Sequence, residues 1–242
     1  MMRERTRFWV LLFGASLFAV AIAGNASDDA QSIVTQCIEA MGGHEVIDGF
    51  RTLRLRIYWP DHGASLAEIE RPNRSRIGVG VNVVFDGERA AILKPEAGRR
   101  YVCDMAVPKG DLVDFDVDIA WFVPAFLDYP ATYLGREQLG TEHVDVLRVK
   151  LPFGAQMDYY ISADTHFILR ALASFTYDGE EMKVERTYRN HRSYGGVLFP
   201  SEFTYSGRTG DRLTARVLQV QINPFFPDGH FDTSACFENA EN

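Results

Sequence analysis

Alternation of apolar and polar residues between His143 and Ile222 is the feature of this sequence that most limits the folds open to it. Leu147, Val149 and Leu151 stand at every second position, with charged residues between them. A period of two is typical of a strand that buries one face. The same period returns along the rest of the segment, which therefore predicts five or six consecutive strands.

Short turn signals separate these runs. They are Phe153-Gly154, Ala163-Asp164, Asp178-Gly179, Gly195-Gly196 and the stretch 207–210. Such residues suit hairpins, and their spacing leaves no room for crossover helices. The segment therefore predicts an antiparallel meander. One of its faces is too apolar for water, so we expect the sheet to curl or to be covered.

The chain before this segment predicts an amphipathic helix followed by further strands. Apolar side chains fall at helical spacing after Asp29, and Gly42-Gly43 provides a stop signal. A second short helical turn is expected over residues 45–50. The predicted strands cover residues 53–58, 66–70, 76–79, 81–85, 90–93 and 100–103. Asp86-Gly87 is a strong hairpin pair between two of them.

The alternation breaks between Pro108 and Pro130, where large apolar side chains are mixed with aspartates. Propensity does not decide between a short helix and a strand here, and an internal proline prevents one long helix. We expect a flap or helical cover across one face of the sheet. A calcium-binding EF-hand loop is disfavoured, because Asp116 and Phe122 stand where it needs Gly and Glu. A solvated acidic face is the favoured interpretation.

Length and composition favour one domain over residues 25–242. The chain has 242 residues, of which 46% are hydrophobic and 24% charged. A chain of this size can bury a substantial core without metals or a disulfide framework. Its formal net charge of −8 and lack of a Lys/Arg cluster exclude nucleic acid as an expected partner.

Residues 1–24 have the pattern of a secretory signal peptide. Three arginines precede an apolar run from Phe8 to Ala23, which ends in small residues. The run is short for a bilayer span and polar residues follow at once, so cleavage is favoured over a membrane anchor or a buried helix. No Cys follows the small residues to carry a lipid anchor. We expect a soluble periplasmic mature protein.

Three cysteines, Cys37, Cys103 and Cys236, would then lie in a compartment that permits disulfides. One bridge with a leftover thiol and no bridge at all are both open. Cys37 lies among helical residues and is expected in the core. The three are too far apart in sequence to indicate a zinc site, and no cofactor is predicted.

Catalytic motifs are not evident in the sequence. It contains no His-Glu-x-x-His frame, Gly-x-Ser-x-Gly elbow, phosphate loop or dinucleotide fingerprint. His166 near Asp164, and His191 beside Arg189, are the candidates for a catalytic histidine assembled by the fold. A surface histidine at a strand end is the favoured account of each. We predict that the protein is not an enzyme.

Aromatic residues supply the functional hypothesis. The chain has 10 Tyr and 17 Phe, and many fall on the apolar face of the predicted strands. Core packing accounts for most of them, but one helix and one flap can barely cover so wide a sheet. The remainder would line an apolar concavity suited to an acyl chain, at about 0.8 kcal/mol per buried methylene. The candidate ligand-binding residues are Phe115, Trp121, Phe122, Phe126, Phe175, Tyr177, Tyr188, Phe199, Phe203 and Tyr205.

Several short motifs also occur in a recognisable order. They are Ala40-Met41-Gly42-Gly43, Phe85-Asp86-Gly87, Phe126-Leu127-Asp128-Tyr129, Tyr133-Leu134-Gly135-Arg136-Glu137, Asp158-Tyr159-Tyr160-Ile161 and Gly196-Val197-Leu198-Phe199-Pro200. Together they resemble the LolA/LolB-like outer-membrane lipoprotein-sorting family across nearly all of the mature chain. The resemblance implies an α+β fold: a strongly curved antiparallel half-barrel covered by an N-terminal helix and the central helical flap.

That resemblance also implies a function. The leading hypothesis is a non-enzymatic periplasmic protein that binds or carries an acylated lipid or lipoprotein. A second hypothesis is an envelope sensor or adaptor that docks on an inner- or outer-membrane protein through a sheet edge or its acidic flap. A third is an envelope hydrolase that uses a histidine and a carboxylate brought together by the fold.

Overall fold

The computed structural model describes residues 26–79, 81–96, 100–206 and 212–237. Its helices are α1 (Ala26–Met41), α2 (His44–Ile47) and α3 (Leu112–Phe122). Its strands are β1 (Thr52–Trp59), β2 (Gly63–Glu70), β3 (Arg74–Val79), β4 (Val81–Phe85), β5 (Ala90–Glu96), β6 (Arg100–Ala106), β7 (Ala131–Leu139), β8 (Glu142–Lys150), β9 (Gln156–Ser162), β10 (Ile168–Tyr177), β11 (Glu180–Tyr194), β12 (Val197–Ser206) and β13 (Arg212–Ile222). The predicted signal peptide and the predicted turn at 207–210 lie outside the described residues.

A single 13-stranded sheet runs in the order β6-β5-β4-β3-β2-β1-β13-β12-β11-β10-β9-β8-β7. It consists of two antiparallel meanders, β1 to β6 and β7 to β13, which meet where β1 pairs with β13. The antiparallel meander predicted from alternation is confirmed as β8 to β13. The sequence did not predict β7 as a strand, because its positions alternate only between half-buried and exposed.

The link between the two meanders explains the position of the insert. β6 and β7 are the opposite edges of the sheet, and they do not pair with each other within the described residues. The chain from 107 to 130 must therefore pass from one edge to the other over a face of the sheet. α3 contacts β3 in one meander and β10 in the other. The expected helical cover is confirmed.

The core lies between the inner face of the sheet and the helices. Leu55 of β1, Val149 of β8, Cys37 of α1 and Val117 of α3 belong to one buried cluster. Because strands from both meanders meet the same helices, the sheet is strongly curved around them, and a register shift between β1 and β13 adds to the bend. The expected core position of Cys37 is confirmed, and burial raises the pKa of its thiol to about 12.

The end of α1 rests on the turn between β11 and β12. Gly42 has φ 137°, which L side chains rarely adopt, and a Cβ at this position would overlap the carbonyl oxygen of Gly196. The helix stop signal at Gly42 and the turn signal at Gly196, which are far apart in the sequence, are therefore in direct backbone contact. This contact fixes the helix against the sheet.

The outer face of the first meander has its own cover, which the sequence did not predict. Val84 and Ala91 point away from the main core and form a second cluster with Phe231. A disulfide joins Cys103 of β6 to Cys236 in the C-terminal segment, 133 residues later. The alternatives left open by the sequence are thus decided in favour of one bridge and one free thiol.

Candidate functional site

Tyrosines on the inner face of the sheet hold the insert in place. The Tyr159 hydroxyl donates to the Ala120 carbonyl oxygen at 3.0 Å and accepts from the Ala125 N–H at 2.8 Å. The Tyr188 hydroxyl donates to the carbonyl oxygen of Trp121 at 2.9 Å. Carbonyl groups in the last turn of a helix have no partner within the helix, so these bonds satisfy them. They also fix the end of α3 over the sheet.

Two aspartates of α3 do not belong to the solvated acidic face that the sequence predicted, although Asp128 of the insert is exposed. Asp116 is only 4% exposed, and its Oδ2 accepts a hydrogen bond from the Phe153 N–H at 2.7 Å. Burial raises the pKa of Asp116 to about 6, although that hydrogen bond opposes the rise. Asp118 lines a cavity beside α3. The prediction was wrong for these two residues because they lie on faces of α3 that pack against protein or border the cavity.

A cavity of about 420 Å³ lies inside the curved sheet beside α3. Both meanders and the insert contribute to its wall. Its apolar lining consists of Ile57, Trp59, Ala67, Ile77, Val83, Phe122 and Leu213. Its polar lining consists of His62, Ser65, Asp118, Arg186 and Tyr205. This size and this composition, a mostly apolar wall with a few polar groups, are those of a small-molecule site.

Arg186 is the most unusual residue in the wall. It occupies an inward position of β11 between Val184 and Tyr188 and is only 4% exposed. Its guanidinium carbon lies 4.4 Å from the ring centroid of Phe203 and 4.6 Å from that of Phe122. The rings of Trp121 and Tyr205 are also near, with centroids at 5.0 and 5.9 Å. Such contacts attract a cation by about 0.5–2 kcal/mol each.

The faces of these rings do not accept the in-plane N–H bonds of the guanidinium group as an oxygen does. The Nε and Nη1 atoms of Arg186 are buried and have no hydrogen-bond partner. A buried donor without an acceptor costs about 1–3 kcal/mol. Burial lowers the pKa of Arg186, but a guanidinium group starts from so high a value that it stays charged at neutral pH. Arg186 thus places a cation in the cavity wall, and two of its donors lie beneath the surface of that wall without an acceptor.

Asp118 is the nearby opposite charge. Burial raises its pKa to about 6, while Arg186 lowers it and Asp114 raises it further. The two side chains therefore interact through space, but the carboxylate accepts no hydrogen bond from Nε or Nη1 of Arg186. Asp118 offsets part of the charge in the cavity and leaves these donors free.

The predicted ligand-binding residues fall into three groups. Phe122 and Tyr205 line the cavity, and Phe203 lies against Arg186. A second opening of about 40 Å³, too small for an acyl chain, lies between the ends of α1 and α3 and strands β9 to β12. It is lined by Trp121, Phe122, Tyr188 and Phe199, among others.

The remaining four predicted residues pack in the main core. Phe115 lies against Phe85 with ring centroids 5.4 Å apart, and Phe126 lies against Tyr159 at 5.2 Å. Phe175 is buried and Tyr177 is half-buried against the same cluster. These four contribute to the cover and to the sheet that surround the cavity.

Arg186 and Asp118 were not predicted from the sequence as residues of the site. A signal for Arg186 was present, since it stands at the apolar phase of β11 between Val184 and Tyr188. A charged residue at an inward position of a strand is rare unless it has a partner or a function. No comparable signal marked Asp118, because the sequence did not establish that residues 112–122 form a helix.

The two candidate catalytic histidines lie away from the cavity. His191 stacks on Phe167 with ring centroids 4.9 Å apart, and burial lowers its pKa. His166 adopts a left-handed conformation with φ 57° in the β9–β10 turn. Across the described ranges, no group of three His, Cys, Asp or Glu side chains is arranged to hold a metal ion.

These features define a protein with an open, strongly curved antiparallel sheet around a helical cover and a mostly apolar, partly open cavity. Comparison with solved structures finds the same architecture in a putative outer membrane lipoprotein-sorting protein domain from Vibrio parahaemolyticus. The TM-score is 0.55 at 9% identity, covering 87% of this chain and 99% of that one. A DUF1329 family protein from Desulfovibrio piger gives 0.54 at 11% identity, covering 86% and 98%.

A LolA superfamily protein from Nitrosomonas europaea is also similar, with a TM-score of 0.49 at 16% identity, over 85% of this chain and 98% of that one. No protein-family model and no curated protein matches the chain. At such low identities the likeness is one of fold. The two structures with TM-scores of 0.54 and 0.55 confirm the fold that the sequence motifs implied. None of the helices in the described ranges has the length and apolar character of a membrane span.

Proposed function

We propose that the mature chain is a periplasmic, non-enzymatic protein that binds or carries an acylated lipid or lipoprotein. The observation that carries this proposal is the cavity of about 420 Å³ inside the curved sheet, with its mostly apolar wall. Each methylene that an acyl chain buries there contributes about 0.8 kcal/mol. A few contacts of this kind give useful affinity without any covalent chemistry.

Two further observations support the proposal. The fold is shared with a putative outer membrane lipoprotein-sorting protein domain. Residues 1–24 have the basic, apolar and small-residue pattern of a cleavable export signal, which would deliver the chain to the compartment where such lipids move.

The first test is native mass spectrometry of residues 25–242 purified from a bacterial periplasm, followed by organic extraction. We expect a bound acylated species, or stoichiometric uptake of a dansyl-labelled fatty acid by the extracted protein. A mature chain that carries nothing and takes up no fatty-acid probe would contradict the proposal.

A pair of tryptophan substitutions on β13 locates the binding site. Leu213 lines the cavity, whereas Leu218 on the same strand is 54% exposed. Leu213→Trp fills the cavity and should weaken uptake of the probe at least tenfold. Leu218→Trp makes the same chemical change outside the cavity and should bind as the unmodified chain does. Equal binding by both variants would place the ligand elsewhere.

A further inference from the structure

We propose that Arg186 recognises an oxyanion, so that the ligand of this cavity is an anionic amphiphile bound with its carboxylate or phosphate group inside the protein. This inference rests on the proposed function and specifies its ligand class. The cavity combines an apolar wall with one buried cation, and an anionic amphiphile has the matching two parts.

The donor geometry of Arg186 supports an oxygen ligand. A guanidinium group carries five N–H donors in one plane, in a fork that fits two oxygens of one carboxylate or phosphate. In this structure aromatic rings surround the guanidinium group, and Nε and Nη1 have no acceptor. These two nitrogens lie beneath the surface of the cavity wall, so an oxyanion in the cavity reaches them when the surrounding rings shift, and it would then supply the missing acceptors.

The burial of Arg186 sets the direction of binding. Because the residue is only 4% exposed, an oxyanion can reach it only from within the cavity. The apolar part of the ligand then lies along Ile57 and Ile77 of the first meander and Leu213 of β13. An amphiphile in this orientation buries its charged group as well as its chain, which a purely apolar cavity could not accept.

Asp118 makes the recognition conditional on protonation. With Asp118 ionised, an entering oxyanion meets one positive and one negative charge in the same wall. Protonation of Asp118 removes the repulsion, so binding of the oxyanion should be accompanied by uptake of a proton on this carboxylate. His62 and Tyr205 are the other titratable groups in the wall.

The test compares two probes that differ only in the charge of the head group, a dansyl-labelled undecanoic acid and its methyl ester. We expect the unmodified mature chain to bind the acid roughly tenfold to a hundredfold more tightly than the ester, as hydrogen bonds to a charged group provide. Arg186→Met keeps the apolar stem and should reduce that ratio to about one, while ester binding is retained.

Two further variants separate charge from geometry. Arg186→Lys keeps the charge but loses the planar fork, and it should give an intermediate ratio. Asp118→Asn should strengthen binding of the acid several-fold and leave the ester unchanged. Circular dichroism of each variant confirms that it is folded. If Arg186→Met retains the full preference for the acid, the inference is wrong even though the cavity binds ligands.

Failure of the proposed function gives a different result, since the unmodified chain would then bind neither probe. Competition identifies the source of the oxyanion. Displacement of the acid probe by oleate indicates a carboxylate head group, and displacement by a lysophosphatidic acid indicates a phosphate. Either result supports recognition of an oxyanion by Arg186. Displacement of the probe by neither anion would overturn it.

Discussion

Two arginines in this protein have largely buried side chains but opposite surroundings. Arg71, which follows β2, is 9% exposed at its side chain and is fully engaged. Its Nη2 donates to Asp128 Oδ1 at 2.9 Å and to the Leu127 carbonyl oxygen at 2.9 Å, and its Nη1 donates to the Phe50 carbonyl oxygen at 2.6 Å. Arg186 is buried at least as deeply, yet two of its nitrogens have no acceptor.

The engagement of Arg71 serves the fold. Through one guanidinium group it joins the end of the insert at Leu127 and Asp128 to the segment after α2 at Phe50. These segments are far apart in the sequence, so the contact fixes the insert over the sheet. Each donor replaces the water it lost with a protein oxygen, which is the usual condition for burying a charge.

In Arg186, by contrast, two buried donors have no protein oxygen in place of the water they lost. A buried donor without an acceptor costs stability, so hydrogen bonding within the protein does not explain the position of Nε and Nη1. The position of Arg186 in the wall of the largest apolar cavity described above gives it a role that only a ligand completes. Arg71 thus fixes the insert over the sheet, whereas Arg186 has donors that the proposed ligand would satisfy.

The sharpest test of this difference is Arg71→Met. Loss of Arg71 leaves Asp128 and two carbonyl oxygens without their partner, and removing one member of a buried pair is strongly destabilising. We expect the free energy of unfolding to fall by about 3 kcal/mol, measured by urea denaturation followed by circular dichroism. As a control, Arg74 is 53% exposed and lies 3.4 Å from Glu70, so Arg74→Met should cost less than about 1 kcal/mol. An equal loss of unfolding free energy in Arg71→Met and Arg74→Met would contradict a structural role for Arg71.

Ligand should stabilise the protein through Arg186 and not through Arg71. At a free concentration of dansyl-undecanoic acid about 100 times the dissociation constant of the unmodified chain, linkage predicts a gain of about 2.7 kcal/mol. The same concentration should stabilise Arg186→Met clearly less, because its affinity for the acid is lower. Arg74→Met should show the full gain. Thermal unfolding with and without the probe measures this gain in the unmodified chain and in both variants. An equal gain in Arg186→Met would show that Arg186 does not contribute to binding of the acid.

Asp118 should make stability depend on pH. Its folded-state pKa is raised to about 6 by burial, above the ordinary value near 4, so its stabilising, protonated form is complete below pH 4 and is lost as the pH rises to 6. We expect Asp118→Asn to match the unmodified chain at pH 4 and to exceed it by about 1–2 kcal/mol at pH 7.5. Burial raises the pKa of Asp116 as well, but Asp116 is present in both the unmodified chain and Asp118→Asn, so its effect cancels in the difference between their stabilities. A constant difference across this range would exclude titration of Asp118.

The smallest effect is expected for Arg186→Met without ligand. Replacing a buried, unpaired charge by an apolar side chain of similar length is often neutral or stabilising. The loss of its attraction for Asp118 acts in the other direction, so the free energy of unfolding should change by less than about 1 kcal/mol. A loss comparable to that of Arg71→Met would show that Arg186 supports the fold after all.

Much of the site could not be predicted from the sequence, although most of the strands that surround it could. Phe122 and Tyr205 were identified from alternation and from their place in the flap, and both line the cavity. Phe115 and Phe126 had the same local pattern but pack in the core instead. Periodicity tells which face a side chain occupies, but it does not tell whether the facing space is filled.

The sequence by itself determined most of the local structure of this protein, with β7 and α3 as the exceptions. Period-two alternation, glycine turns and the stop at Gly42-Gly43 specify strands, hairpins and a helix, because these depend on neighbouring residues. Only the tertiary structure decided the sheet order, the Cys103–Cys236 bridge, the burial of Asp116 and the meeting of Asp118 with Arg186 in one cavity. Those outcomes depend on how two meanders and an insert that crosses between them close around one space, and such long-range contacts leave no periodic trace in the sequence.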